Sequence, residues 1–133
     1  VLRFDEHVRN GLAASLRATI GQAPLICLYS TPEPATLAEA QDGLLCTFRL
    51  SNDWQDTVAD GESRVVGLPV TATAVETGTV RSYRVFDSNG SACREQGGCW
   101  MEGDDTPEAD RQMLLDNTDI RKGQAVQLLE FTK

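Results

Sequence analysis

Residues 69–89 read PVTATAVETGTVRSYRVFDSN, and Gly90 follows at once. The stretch is rich in Val, Thr and aromatic residues, which favour a pleated, half-buried backbone. Thr77–Gly78 breaks it in the middle and Asn89–Gly90 ends it. That punctuation predicts two strands joined by a turn, with a hairpin into a third strand. In its second half, Tyr83 and Val85 fall on one side while Val80 and Phe86 fall on the other. A strand covered on both faces accommodates such a pattern.

The same reading extends outward. LICLY (25–29) is an apolar, β-favouring run and a buried strand is expected there. Pro32 and Pro34 open the following segment as a loop. In LLCTFRL (44–50), Leu44, Cys46, Phe48 and Leu50 alternate with Leu45, Thr47 and Arg49, the period of a half-buried strand. A short edge strand is expected at 63–66. LLDNTDI (114–120) and AVQLLEF (125–131) read as two further strands around the turn at 121–124. Residues 93–112, with Gly97, Gly98, Gly103 and Pro107, read as a long surface excursion.

One helix is expected, over residues 5–20. Asp5 caps it, and Phe4, Val8, Leu12, Leu16 and Ile20 recur every fourth residue on one side. Gly21 and Pro24 end it. The expected organisation is therefore an amphipathic N-terminal helix at 1–21, serving as arm or edge cover, and a β domain at 22–133 carrying the loop 93–112. The count of short strands predicts a mostly β, antiparallel β-sandwich or jelly-roll-like domain.

Composition bounds the function. The 133 residues make one domain by size, with 41% hydrophobic and 24% charged residues, a globular balance. A net charge of −8 disfavours nucleic acid and anionic membrane surfaces as partners. No apolar run approaches the roughly 20 residues that span a bilayer. The charged opening VLRFDEHVRN lacks the apolar core of a secretory signal, so synthesis in a cytosol is expected.

Chemistry is read mostly by elimination. The single histidine, His7, lies on the expected helix near charged residues, and a triad needs a histidine beside its nucleophile. Cys27 and Cys46 lie inside apolar strands and read as small hydrophobes. Cys93 and Cys99 have a spacing unlike that of zinc ligands; they are either a disulfide stapling a Gly-rich loop or free thiols. Glu102, Asp104, Asp105, Glu108 and Asp110 lack calcium-loop spacing and read as a solvated acidic segment. Phosphate-binding glycine motifs are absent from the sequence. No catalytic residue, metal site or cofactor is therefore expected, and no enzyme activity. The candidate interaction residues are Phe4, Val8 and Leu12 on the helix, and Trp54, Trp100 and Met101 in polar loops. Each tryptophan is either an interface anchor or a lid on its own domain.

The order of LICLY (25–29), Pro32 and Pro34, LLCTF (44–48), TATAVETGTVRSYRVFDSNG (71–90), LLDNTDI (114–120), GQAV (123–126) and FT (131–132) resembles a family of small structural proteins of tailed bacteriophages. Segment 93–112 departs from that pattern, being longer and carrying two cysteines. The resemblance implies a virion protein assembled in the host cytoplasm. The first expectation is a capsid decoration or cement protein that binds the major capsid protein and self-associates as a dimer or trimer. A tail or head–tail connector component is the second. A carbohydrate- or receptor-binding β-sandwich module is the alternative of another class.

Overall fold

The protein is described from a computed structural model, in which residues 5, 7–8, 11–12, 15, 19–57, 63–108 and 111–131 are described. It is mostly β. The strands are β1 (Leu25–Tyr29), β2 (Leu44–Arg49), β3 (Gln55–Thr57), β4 (Ser63–Val65), β5 (Val70–Thr73), β6 (Gly78–Thr79), β7 (Ser82–Phe86), β8 (Cys93–Gly97), β9 (Cys99–Trp100), β10 (Met113–Leu115), β11 (Asp119–Ile120) and β12 (Ala125–Phe131). One four-stranded sheet runs β2-β1-β7-β8 and a second runs β5-β12-β10-β9; β11-β6 and β3-β4 form two-stranded ribbons. Pairing is antiparallel except between β10 and β9. Residues of both larger sheets join one apolar cluster: Ile26, Leu28, Phe48, Tyr83 and Val85 from the first, Met113, Leu115, Val126, Leu128 and Phe131 from the second.

Half of the residues of the helix expected over 5–20 lie outside the described residues, and no bounded helix is present among those described. Two of its details are visible. The Val8 amide donates to Asp5 Oδ1 at 2.9 Å, the contact expected of the cap. At the other end Ile20 is buried in the core, while Val8 and Leu12 remain 41% and 56% exposed.

The opening stretch folds partly as read. β7 and β8 form the expected hairpin around Asp87–Ala92, with Gly90 N donating to Asp87 O at 2.9 Å and Gly90 at φ +70°. β5 and β6 do not pair with each other. β5 pairs with β12 and β6 with β11, because the turn between them carries the chain from the second sheet to a ribbon.

Two further expectations are corrected. In β2 the alternation slips. Leu28 faces Cys46 but Tyr29 faces Leu44, so Leu45 is an extra residue at a bulge. Leu45 is therefore buried and Leu44 exposed. Segment 93–112 is not a loop throughout, since its first part forms β8 and β9. Gly97 is a packing residue there rather than a breaker: a Cβ on it would stand 2.7 Å from Tyr83 Cε1.

Candidate functional site

Strand β7 positions the polar centre of the molecule. Its Ser82, Tyr83, Arg84 and Val85 are all buried. Tyr83 and Val85 turn into the apolar cluster. The Tyr83 ring meets Phe131 edge-on at 5.0 Å, and its hydroxyl donates to Glu95 Oε2. Burial first, then the adjacent Glu95 carboxylate, push the Tyr83 phenol far above its ordinary range.

Ser82 and Arg84 point the other way, under a strap formed by residues 31–42. Arg84 is only 3% exposed. Its Nη1 donates to the Glu39 carbonyl at 2.6 Å and its Nη2 to the Thr36 carbonyl at 3.1 Å. Nε and Nη2 both donate to Gln96 Oε1, at 3.3 and 3.1 Å, while Gln96 Nε2 donates to the Pro34 carbonyl at 2.8 Å. Ser82 Oγ donates to the Thr31 carbonyl at 2.8 Å, and Gln41 Nε2 donates to Ser82 Oγ at 2.8 Å. A buried guanidinium is tolerable only when its donors are satisfied. Here neutral acceptors satisfy it, and the strap carbonyls gain partners in exchange. Leu37 of the strap remains 40% exposed, so polar bonds rather than apolar burial hold the strap down.

Beside Arg84, a cleft of about 590 Å³ opens between the strap and the β7–β8 turn, lined by Tyr29, Leu37, Gln41, Arg84, Phe86 and Cys93 among others. Its groups are poor reagents. Burial pushes the Tyr29 phenol up to about 12 and raises the Cys93 thiol. The same cause raises Cys27, pushes Cys46 up to about 11 and drives Cys99 higher still. All four thiols thus stay protonated at neutral pH, where the thiolate is the nucleophile.

The disulfide reading of Cys93 and Cys99 gives way to its alternative, since both thiols are free. Gly97 and Gly98 carry the chain from the first sheet to the second between them. Cys93 consequently faces the cleft, whereas Cys99 is buried with its sulfur 3.9 Å from Met113 Sδ.

Of the two tryptophans, Trp54 is 1% exposed, and its indole N–H donates to the Gly21 carbonyl at 2.7 Å. It closes the core under the chain leading to β1, so the lid alternative holds and Trp54 leaves the set of surface anchors. Trp100 and Met101 are half-buried at the end of β9. The Arg111 guanidinium lies over the Trp100 ring, 4.9 Å from its centroid, a cation–π contact.

The loop after Trp100 is built around Asp104. Met101 N donates to Asp104 Oδ2 at 2.9 Å and Thr106 N to Oδ1 at 3.0 Å, while Arg111 Nε reaches the Thr106 carbonyl at 2.8 Å. Slight burial pushes the Asp104 carboxyl up, but those two amide bonds outweigh it and hold its pKa below the ordinary value. Glu102, Asp105 and Glu108 stay exposed around this loop. His7 and Leu12 lie exposed far along the chain from it, and Phe4 lies outside the described residues.

No metal-sized cluster of three or more His, Cys, Asp or Glu side chains occurs among the described residues. Asp104, the most engaged of the acidic group, spends its oxygens on backbone amides. Sequence reasoning placed Trp100 and Met101 at a surface loop but missed the network of Ser82, Arg84, Gln96 and Gln41. The available signal was Arg84 itself, a charge set between Tyr83 and Val85 in an otherwise apolar strand.

Comparison with protein-family models, curated proteins and solved structures finds no match to this chain.

Proposed function

We propose that this is a virion structural protein of a tailed bacteriophage, a β-sandwich that decorates and stabilises the capsid lattice without catalysing a reaction. The observation that carries this reading is the order of strand motifs from LICLY at 25–29 to FT at 131–132, which resembles small phage structural proteins. Two sheets sharing one apolar cluster are the arrangement that such a sandwich needs.

The surface around Trp100 and Met101 supplies a contact of the right character. Aromatic residues and Met are favoured at interface centres. Asp104 fixes the loop beforehand, which lowers the ordering cost of binding. The exposed Glu102, Asp105 and Glu108 suit a basic patch on the major capsid protein and steer encounter. Repetition of a modest contact over a shell stabilises the assembled lattice by mass action, since dissociated subunits offer no such site. Self-association as a dimer or trimer at a lattice axis fits the same scheme, and the exposed Val8 and Leu12 are available to it.

The test is co-sedimentation with capsids stripped of accessory proteins. The protein should pellet with them at micromolar concentration, and Trp100→Ala should weaken binding by about 2 kcal/mol, as for an interface anchor. Recovery of all the protein in the supernatant would refute the decoration role. Specific retention on a glycan instead would favour a carbohydrate-binding module.

A further inference from the structure

We infer that Asn89 is a site of spontaneous deamidation through the Gly90 amide, a slow chemical change built into the β7–β8 turn. Asn89 and Gly90 are both exposed at the tip of the hairpin. The absence of a side chain on Gly90 leaves its nitrogen open to approach by the Asn89 carboxamide. Loop tips of this kind are also where local opening is easiest. The other asparagines of the described part are differently placed. Asn52 precedes Asp53. Asn117 precedes the β-branched Thr118, and its Oδ1 is engaged by the Asp119 amide at 2.9 Å.

The step balances without an oxidant or reductant. The Gly90 nitrogen loses its proton to solvent base and attacks Asn89 Cγ, forming a nitrogen–carbon bond. The Cγ–Nδ2 bond breaks, and Nδ2 takes up a proton and leaves as ammonia. Water then adds to either carbonyl of the cyclic imide, giving aspartate or isoaspartate. Either product puts a new negative charge two residues from Asp87, whose carboxylate holds the Ser91 amide at 2.9 Å. Isoaspartate also lengthens the main chain in the turn that sets Phe86 opposite Cys93. Hairpin register depends on turn length, so the aged turn no longer matches its strands.

The Gly90 amide donates to the Asp87 carbonyl at 2.9 Å, so the reaction waits on opening of that bond. The folded protein therefore reacts more slowly than a free peptide of the same sequence, yet still reacts.

The experiment is peptide mapping of the intact protein after incubation in mildly alkaline buffer. Trypsin releases Val85–Arg94, which separates Asn89 from the second Asn-Gly of the chain at Asn10–Gly11. The expected result is two isobaric acid products in that peptide, isoaspartate among them, increasing with pH, while the peptides of Asn52 and Asn117 stay intact. Asn89→Gln should abolish the products and Gly90→Ala should slow them several-fold. An unchanged Asn89 under conditions that convert the synthetic peptide 85–94 would overturn the inference. So would aspartate as the sole product, which indicates direct hydrolysis.

Discussion

The two faces of strand β7 are both buried, but by different physics. Tyr83 and Val85 enter an apolar cluster, where close packing and the loss of water from apolar surface stabilise the fold. Ser82 and Arg84 are covered by a strap that contributes backbone carbonyls and little apolar area. The first face has no alternative partner in water. The second does, because every carbonyl and guanidinium hydrogen bond lost on opening is replaced by one to solvent. The core face should therefore govern global stability, and the strap face should govern local order beside the cleft.

Replacing Tyr83 with Ala should break the core face. It removes the ring that meets Phe131 edge-on and opens a cavity against both sheets, an expected loss of about 3–5 kcal/mol in denaturant unfolding. Gly97→Ala acts on the same face from outside. Its Cβ would stand 2.7 Å from Tyr83 Cε1 and 2.7 Å from the hydroxyl oxygen, and the ring is held by Phe131 and Glu95. Overpacking of this kind costs about 2 kcal/mol, which a shift of the thermal midpoint would register.

Arg84→Met probes the strap face. It keeps the volume and removes the donors, so the carbonyls of Thr36 and Glu39 lose their partners. Because the strap can turn those carbonyls to water, the global cost should be only about 1 kcal/mol, below that of trapped unsatisfied groups. Hydrogen exchange should show faster exchange confined to residues 31–42, with β1 still protected. Equal acceleration in both would erase the distinction between the faces.

The smallest expected effect comes from pH. Bonds from the Ser91 amide and hydroxyl hold the Asp87 carboxyl below its ordinary pKa in the folded protein. A depressed folded pKa contributes stability above the unfolded value, near 4, which is lost as pH falls through the folded value. Asp87→Asn should thus lower stability slightly in the neutral region, flatten the acid limb below that point, and converge with the parent protein once pH falls past the folded value.

The parts of this fold that were legible in the sequence are those set by local chemistry. The Asn-Gly hairpin, the turn at 121–124 and the apolar strands β1 and β12 follow from turn residues and alternation. Choices made by distant partners were not legible. β5 and β6 were expected to neighbour each other but find β12 and β11 instead. Leu44 and Leu45 exchange places at a bulge that shows only in the pairing with β1. Gly97 resembled a breaker because the ring it accommodates is fourteen residues earlier, at Tyr83. For the candidate site, Trp100 and Met101 were found from loop composition. Trp54 was left between anchor and lid, because its polar neighbours concealed the hydrogen bond to the Gly21 carbonyl that decides for the lid. The strap network was missed because its acceptors are backbone carbonyls, which composition does not reveal.

The proposed role on a capsid lattice is tested most directly by the copy number of this protein in purified virions, measured by quantitative mass spectrometry against the major capsid protein. Decoration predicts a fixed proportion to the capsid protein, with copies at every equivalent lattice position. A number matching a single ring at one vertex, or absence from the virion, would contradict it.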